Sequence, residues 1–198
     1  MKILALSDIH GDREFIKKMA EKGVQEKVDL VILAGDLVDH TGNVQGLVGP
    51  FKEKGLEVAV LPGNHEGLAE VGFMVDKYEA KNLHGYVIQK GDVGIFGCGY
   101  ADVGIHQLNE EEFFQTLEKA HGNLKDIKKK IMVTHVQPSD SLIGFGVFPG
   151  STGVRKAVET FKPDIHICGH IHETQGIEEM IGNTKVINVG KTGKIIEV

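Results

Sequence analysis

The segment Ile3-Leu4-Ala5-Leu6-Ser7-Asp8-Ile9-His10-Gly11 decides the fold class, because an apolar run of strand length ends abruptly in reactive side chains. Apolar residues then recur at helical spacing between residues 15 and 20, so we expect a helix to follow this strand. The same pattern returns where the apolar run 28–34 ends at Gly35-Asp36, and where the run 58–61 ends at Pro62-Gly63-Asn64-His65. This alternation predicts parallel strands and an α/β fold.

The rest of the chain is less regular but carries clear local signals. Helical spacing over 44–54 is interrupted by Gly46, Gly49 and Pro50, which weakens that helix. Asn109, with Glu112 three residues later, has the pattern of a capping box at a helix start. The further predicted elements are a hairpin of strands 86–89 and 93–96, strands at 131–134 and 165–168, a helix that Ser151 caps and Pro163 stops, and final strands at 175–177, 186–189 and 194–198.

Composition limits the classes of protein that fit. The 198 residues carry a formal charge of -6, and the Lys128-Lys129-Lys130 run is the one basic cluster. A protein held on long nucleic acid by a basic face is therefore disfavoured. The two cysteines, Cys98 and Cys168, cannot form a disulfide framework, and no apolar stretch has the length of a membrane span. We expect a single domain over residues 1–198 in the cytoplasm, without membrane contact.

Polar clusters follow five of the predicted strands, and the carboxyl ends of strands are where open α/β sheets bind ligands. Within Asp8-Ile9-His10 and His170-Ile171-His172, residues i and i+2 of extended chain point to the same side. The candidate metal ligands are Asp8, His10, Asp36, Asn64, His135, His170 and His172. Seven mixed oxygen and nitrogen ligands exceed the four of a tetrahedral zinc site and suit two divalent ions that share a carboxylate.

The ligand types suit manganese, iron, zinc, cobalt and nickel without distinguishing among them, and we place manganese first. Two aspartates contribute a charge of about -2 and two divalent ions about +4, so the site would be locally cationic at about +2. An acidic protein could then hold a phosphate. Two such ions also clamp the attacking and leaving oxygens of an in-line displacement at phosphorus.

These residues resemble the calcineurin-like metallophosphoesterase superfamily. The matching blocks, in chain order, are Asp8-x-His10-Gly11, Gly35-Asp36-x-x-Asp39, Gly63-Asn64-His65-Glu66, His135 and Gly169-His170-x-His172. They extend from the first strand to residue 172 and are specific as a set. The chain also resembles the small prokaryotic branch of this superfamily, at Pro149-Gly150-Ser151, the 168–173 segment and Asn188-Val189-Gly190. The resemblance implies a four-layer α-β-β-α sandwich with its metal site at the carboxyl ends of strands.

The resemblance also implies a role for each site residue. Asp8, His10, Asp36 and His172 would hold one metal ion. Asp36, Asn64, His135 and His170 would hold the other, so that Asp36 bridges the two. His65 would be the general acid towards the leaving group, and Asp39 would orient it. The implied reaction is hydrolysis of a phosphomonoester or phosphodiester of a small molecule or nucleotide by in-line attack of a metal-bridging hydroxide.

Two other functions stay open: a non-catalytic scaffold or interaction module on the same fold, and a nuclease acting on nucleotides or short oligonucleotides. His40 stands where protein serine/threonine phosphatases usually carry an arginine, which argues against that activity. We interpret Glu66 as a first-turn helix residue. The apolar loop 144–148 suggests either a substrate lip or a homodimer contact. Gly190-Lys191-Thr192 resembles the end of a P-loop, but Lys185 occupies the position of its first glycine.

Overall fold

The computed structural model describes residues 1–198, which form eleven strands and five α-helices. In chain order these are β1 (Lys2–Leu6), α1 (Arg13–Gln25), β2 (Leu30–Ala34), α2 (Gly49–Glu53), β3 (Val58–Leu61), α3 (Leu68–Tyr78), β4 (Lys81–Asn82), β5 (Val87–Lys90), β6 (Val93–Cys98), α4 (Glu110–His121), β7 (Lys129–Thr134), α5 (Thr152–Phe161), β8 (Ile165–Cys168), β9 (Glu178–Ile181), β10 (Thr184–Asn188) and β11 (Lys194–Glu197). Short 3-10 turns span Leu142–Gly144 and His172–Thr174. None of the helices is both long and apolar enough to cross a membrane.

The strands form two sheets, which we call the first sheet (β11-β1-β2-β3-β4) and the second sheet (β5-β6-β7-β8-β10-β9). Strands β1 to β4 are parallel in the first sheet, and β6, β7, β8 and β10 are parallel in the second. Antiparallel pairing is confined to β11, β5 and β9 at the edges. The carboxyl ends of the inner strands of each sheet therefore lie along one edge.

Three hydrophobic clusters show that the sheets form a sandwich with helices on both outer faces. Leu4 and Leu6 of β1 pack in a cluster with residues of α1, α2 and α3. The alternate residues Ile3 and Ala5 join a second cluster, which lies between the sheets. A third cluster joins the second sheet to α4 and α5. Both faces of β1 are buried, so its sequence is a continuous apolar run. The predicted four-layer α-β-β-α fold is confirmed.

The local signals for the helices on the second sheet are confirmed. The Asn109 side chain accepts from the Glu112 N–H at 2.9 Å, and the Glu112 carboxylate accepts from the Asn109 N–H at 2.8 Å. The Ser151 hydroxyl caps α5 by accepting from the Val154 N–H at 3.1 Å. Strands β5 and β6 form the predicted antiparallel hairpin.

Several expected elements are wrong or shifted. The predicted strand at 175–177 is absent. These residues come directly after a 3-10 turn that ends at Thr174, and Gly176 adopts a φ of +85°. Pairing with β10 begins only at Glu178. Of the helix predicted over 44–54, only Gly49–Glu53 forms, with Pro50 in its first turn, where a missing N–H is tolerated. Helix α3 and strand β4 were not predicted.

Candidate metal centre

The structure brings all seven predicted ligands together where strands of the two sheets end. Ligand atoms lie within 4.8 Å of one another in three groups. The groups are Asp8–His10–His172, Asp36–His135–His170 and His10–Asp36–His65. Asn64 joins the second group, since its Oδ1 atom lies 3.2 Å from Nε2 of His135.

Asp36 lies between the two principal ligand groups. Its Oδ2 atom is 3.3 Å from Nε2 of His135 on one side and 3.9 Å from Nε2 of His10 on the other. On the far side of His10, Nε2 of His172 lies 3.6 Å from Oδ1 of Asp8. A carboxylate placed between one set of imidazole and carboxylate donors and another of imidazole and amide donors is the arrangement that a shared ligand requires. The donor set therefore fits two divalent ions.

The hydrogen-bond partners of His135 orient one ring nitrogen so that it could bind a cation. Its Nδ1 atom lies 2.9 Å from the Ala34 carbonyl, which sets the tautomer and leaves Nε2 directed at Asp36 and Asn64. Burial lowers the pKa of His135, but the Asp36 carboxylate, Asp8 and the Ala34 carbonyl outweigh it and raise this pKa to about 9. A position where carboxylates stabilise a proton so strongly also favours a metal cation.

Four of the predicted ligands have left-handed backbone conformations. The φ angles are +58° at Asp8, +47° at His10, +52° at Asp36 and +71° at His170. Asp and His tolerate this region better than most residues, but each such residue still costs about 1–3 kcal/mol. Position 35 requires glycine, because its φ is +90° and because a Cβ there would lie only 2.6 Å from Nδ1 of His135. The chain turns sharply at the strand ends, and these turns carry the donors.

Glu66 is a site residue that sequence reasoning missed. Its carboxylate accepts from the backbone N–H groups of Leu37 at 3.0 Å, Val38 at 3.3 Å and Gly63 at 2.9 Å. It thus joins the turn after β2, which carries Asp36, to the turn after β3. The first-turn interpretation is wrong, because α3 begins at Leu68. Burial and the Asp36 charge raise the pKa of Glu66 to about 7.

His65 lies at the mouth of the site, with 43% of its side chain exposed. Its backbone N–H donates to Oδ1 of Asp36 at 3.0 Å, and its ring centroid is 4.8 Å from that of His10. Asp39 is engaged elsewhere, since its carboxylate accepts from both the backbone N–H and the hydroxyl of Thr41. No hydrogen bond or ion pair joins Asp39 to His65, so the orienting role of Asp39 stays a prediction.

The loop after β7 is anchored at its start and exposed at its tip. Ile143 is buried, and its carbonyl accepts from the Thr174 hydroxyl at 2.8 Å. Phe145 and Val147 are 72% and 69% exposed. An exposed apolar tip is compatible with both predictions, a substrate lip and a homodimer contact.

Comparison with known proteins gives a consistent result. A family model described as calcineurin-like phosphoesterase matches residues 1–174. An uncharacterized metallophosphoesterase of Helicobacter pylori (strain ATCC 700392 / 26695) is 24% identical over 193 residues, which cover 88% of this chain and 45% of that protein. The chain thus spans less than half the length of this curated relative.

Solved structures share the fold at low sequence identity. The TT1561 protein of Thermus thermophilus matches with a TM-score of 0.78 and 23% identity, over 96% of this chain and 89% of that one. A dimetal phosphatase from Danio rerio matches with a TM-score of 0.62 and 11% identity, over 95% and 86% of the two chains. The family match, the sandwich and the converging ligand blocks agree: this chain belongs to the calcineurin-like phosphoesterase family.

Proposed function

We propose that this protein is a dinuclear metal-dependent phosphoesterase that hydrolyses a phosphomonoester or phosphodiester of a small molecule or nucleotide. The observation that carries the proposal is the position of Asp36, whose Oδ2 atom faces His135 on one side and His10 on the other. A single metal site would not need a carboxylate between two donor groups.

The ligand assignment follows the two groups. Asp8, His10 and His172 would hold one ion, and Asn64, His135 and His170 the other, with Asp36 shared. Manganese is our first candidate, and iron, zinc, nickel and cobalt have suitable ligand preferences. When bound, the two ions would lower the pKa of a water molecule and stabilise the phosphate oxygens during in-line attack. The matching dimetal phosphatase fold supports this arrangement.

The chain's own residues supply the proton and the geometry. His65 is the imidazole at the edge of the ligand groups that the proposed assignment does not use as a ligand, so it would donate a proton to a leaving alkoxide. General acid catalysis of this kind contributes roughly 10²–10⁴ in rate. The hydrogen bond from the His65 N–H to Asp36 fixes the acid relative to the proposed bridging ligand.

The test is to remove divalent metal with a chelator, add manganese back, and measure hydrolysis of p-nitrophenyl phosphate and bis-p-nitrophenyl phosphate. We expect turnover to return only with metal, and the ratio of the two rates separates monoesterase from diesterase. An Asp36→Asn variant should not recover turnover with metal, and Asp76→Asn is its matched control, because Asp76 is exposed and lies outside the site. A protein shown to hold two ions that hydrolyses neither ester with any of the candidate metals would contradict the proposal and favour the scaffold function.

A further inference from the structure

A cavity of about 270 Å³ adjoins the first ligand group. Its lining combines Asp8, Ile9, His10 and His172 from the ligand turns with Gln175, Gly190 and Lys191. The Gly190-Lys191-Thr192 segment, which lacks the first glycine of a P-loop, therefore lies next to the candidate metal centre. We call this cavity the Lys191 pocket.

The Gly190 turn is fixed against the end of β1. The Gly190 carbonyl accepts from the Ser7 N–H at 3.0 Å, directly before Asp8. Gly190 has a φ of +46°, and a Cβ there would lie 2.5 Å from that of Gln175, so the close approach of this turn to Gln175 requires glycine. Lys191 is consequently presented from a turn whose position is tied to the strand that carries the ligands.

Lys191 is the one cationic side chain that lines the pocket. Its ammonium group lies 2.7 Å from Oδ2 of Asp12 and 5.8 Å from the centre of the Phe15 ring. The other oxygen of Asp12 caps α1 by accepting from the Phe15 N–H at 2.9 Å. An ammonium has three donors, so the pair with Asp12 leaves Lys191 able to donate to a second anion. The side chain is 45% exposed, and an exposed ion pair of this kind is weak.

The neighbouring Arg13 does not line the pocket. The guanidinium of Arg13 donates to the backbone carbonyls of Gly11, Asn43 and Gln45. These bonds hold the 43–45 loop to the turn after β1. In a protein with a net charge of -6, Lys191 is thus the local cation beside the ligand groups that can meet an anion.

We propose that the Lys191 pocket binds a second phosphate group of the substrate while the scissile phosphate occupies the candidate metal centre. This inference rests on the proposed function and makes it more specific: the preferred substrate is a bisphosphorylated small molecule. Lys191 acts as a specificity residue, and Gln175 lines the same pocket.

The kinetic test uses a matched series, the monophosphates and bisphosphates of straight-chain alkanediols with two to six carbons, with the manganese-loaded protein. Two equivalent phosphates alone give a twofold advantage in kcat/KM. We expect a preference of roughly tenfold at the best chain length, because charge-assisted hydrogen bonds to phosphate are strong. Lys191→Met should return the ratio towards two, and Lys191→Arg should retain most of the preference. Lys185→Met, which removes a surface lysine paired with Glu178, is the control that keeps the wild-type ratio.

A binding measurement separates failure of the pocket from failure of the proposed function. Calorimetry with the manganese-loaded protein compares propane-1,3-bisphosphonate with propylphosphonate, neither of which can be hydrolysed. We expect the bisphosphonate to bind about tenfold more tightly, and Lys191→Met to reduce the difference to about the twofold given by two equivalent phosphonates. A difference of about twofold or less in the wild-type protein, or a tenfold difference that persists in Lys191→Met, would overturn the proposed second phosphate site. Binding with the expected difference but no hydrolysis of any ester contradicts the catalytic function alone.

Discussion

The Nε2 atoms of His10 and His172 lie 3.2 Å apart, although 162 residues separate them in the chain. Their rings meet edge to face at an interplanar angle of 65°. His10 follows β1 of the first sheet and His172 follows β8 of the second. The facing nitrogens therefore show that the ends of the two sheets form a common donor set.

Asp36→Asn should remove most of the bound metal, because the position between the two ligand groups then loses its charge. We expect metal content by mass spectrometry to fall from about two ions to below one, and turnover to fall at least about 10³-fold. Asp76→Asn should leave both unchanged. Two ions retained at full occupancy in Asp36→Asn would rule out the shared-ligand role.

His65→Ala should keep its metal and lose turnover mainly on esters with poor leaving groups. The expected loss is roughly 10²–10⁴ on alkyl phosphates and much smaller on p-nitrophenyl phosphate, whose leaving group needs no proton. Steady-state kinetics on both substrates measure this difference. The exposed His40→Ala is the control, and full activity of His65→Ala on alkyl phosphates would refute the general-acid role.

Asp39→Asn tests whether Asp39 orients His65 during the reaction, although the structure directs its carboxylate at Thr41. If it does, Asp39→Asn should lower alkyl phosphate turnover in the wild-type protein and have no further effect in a His65→Ala background. The reason is that the effects of residues that act as a unit are not additive. Thr41→Val controls for the turn itself. Equal losses in both backgrounds would show that Asp39 has only a structural role.

Glu66→Gln should destabilise the protein, since an amide nitrogen would replace one acceptor that now faces backbone N–H groups. We expect a loss of about 1–3 kcal/mol in the free energy of unfolding, measured with denaturant. Metal content should also fall, because the turn that carries Asp36 loses its connection to the turn after β3. Glu111→Gln, on the exposed face of α4, should change neither quantity.

His166→Gln should reduce the dependence of the free energy of unfolding on pH in the acid range. His166 is fully buried, its Nε2 atom is 2.7 Å from the Thr134 hydroxyl, and burial lowers its pKa to about 3. Its folded-state pKa is below the unfolded value of about 6.5, so its contribution is complete above that pH and is lost as pH falls towards 3.

The expected difference in slope between wild type and His166→Gln is about 1.4 kcal/mol per pH unit between roughly pH 6 and 4. Denaturant unfolding at several pH values measures it, with the exposed His40→Gln as the control. Parallel profiles for wild type and His166→Gln would show that His166 takes up a proton inside the folded protein.

The fold and the candidate ligands could be predicted because their signals are local. Apolar runs such as 30–34 mark strands buried on both faces, and the donors follow them directly in sequence. Helix α3 was missed because its N-cap is Gly67, which has no side chain to mark a helix start. The role of Glu66 depends on two turns that only the folded sheet brings together, so its position in the sequence could not reveal it.

The ligands come from both sheets, so occupied sites would act as cross-links between the two halves of the sandwich. Separating the sheets would then require breaking coordination bonds as well as opening the apolar interface that Ile3 and Ile131 help to form. Mechanical or thermal opening of the sandwich becomes coupled to release of the ions. The concentration of free metal would then contribute to the free energy of unfolding of the folded chain.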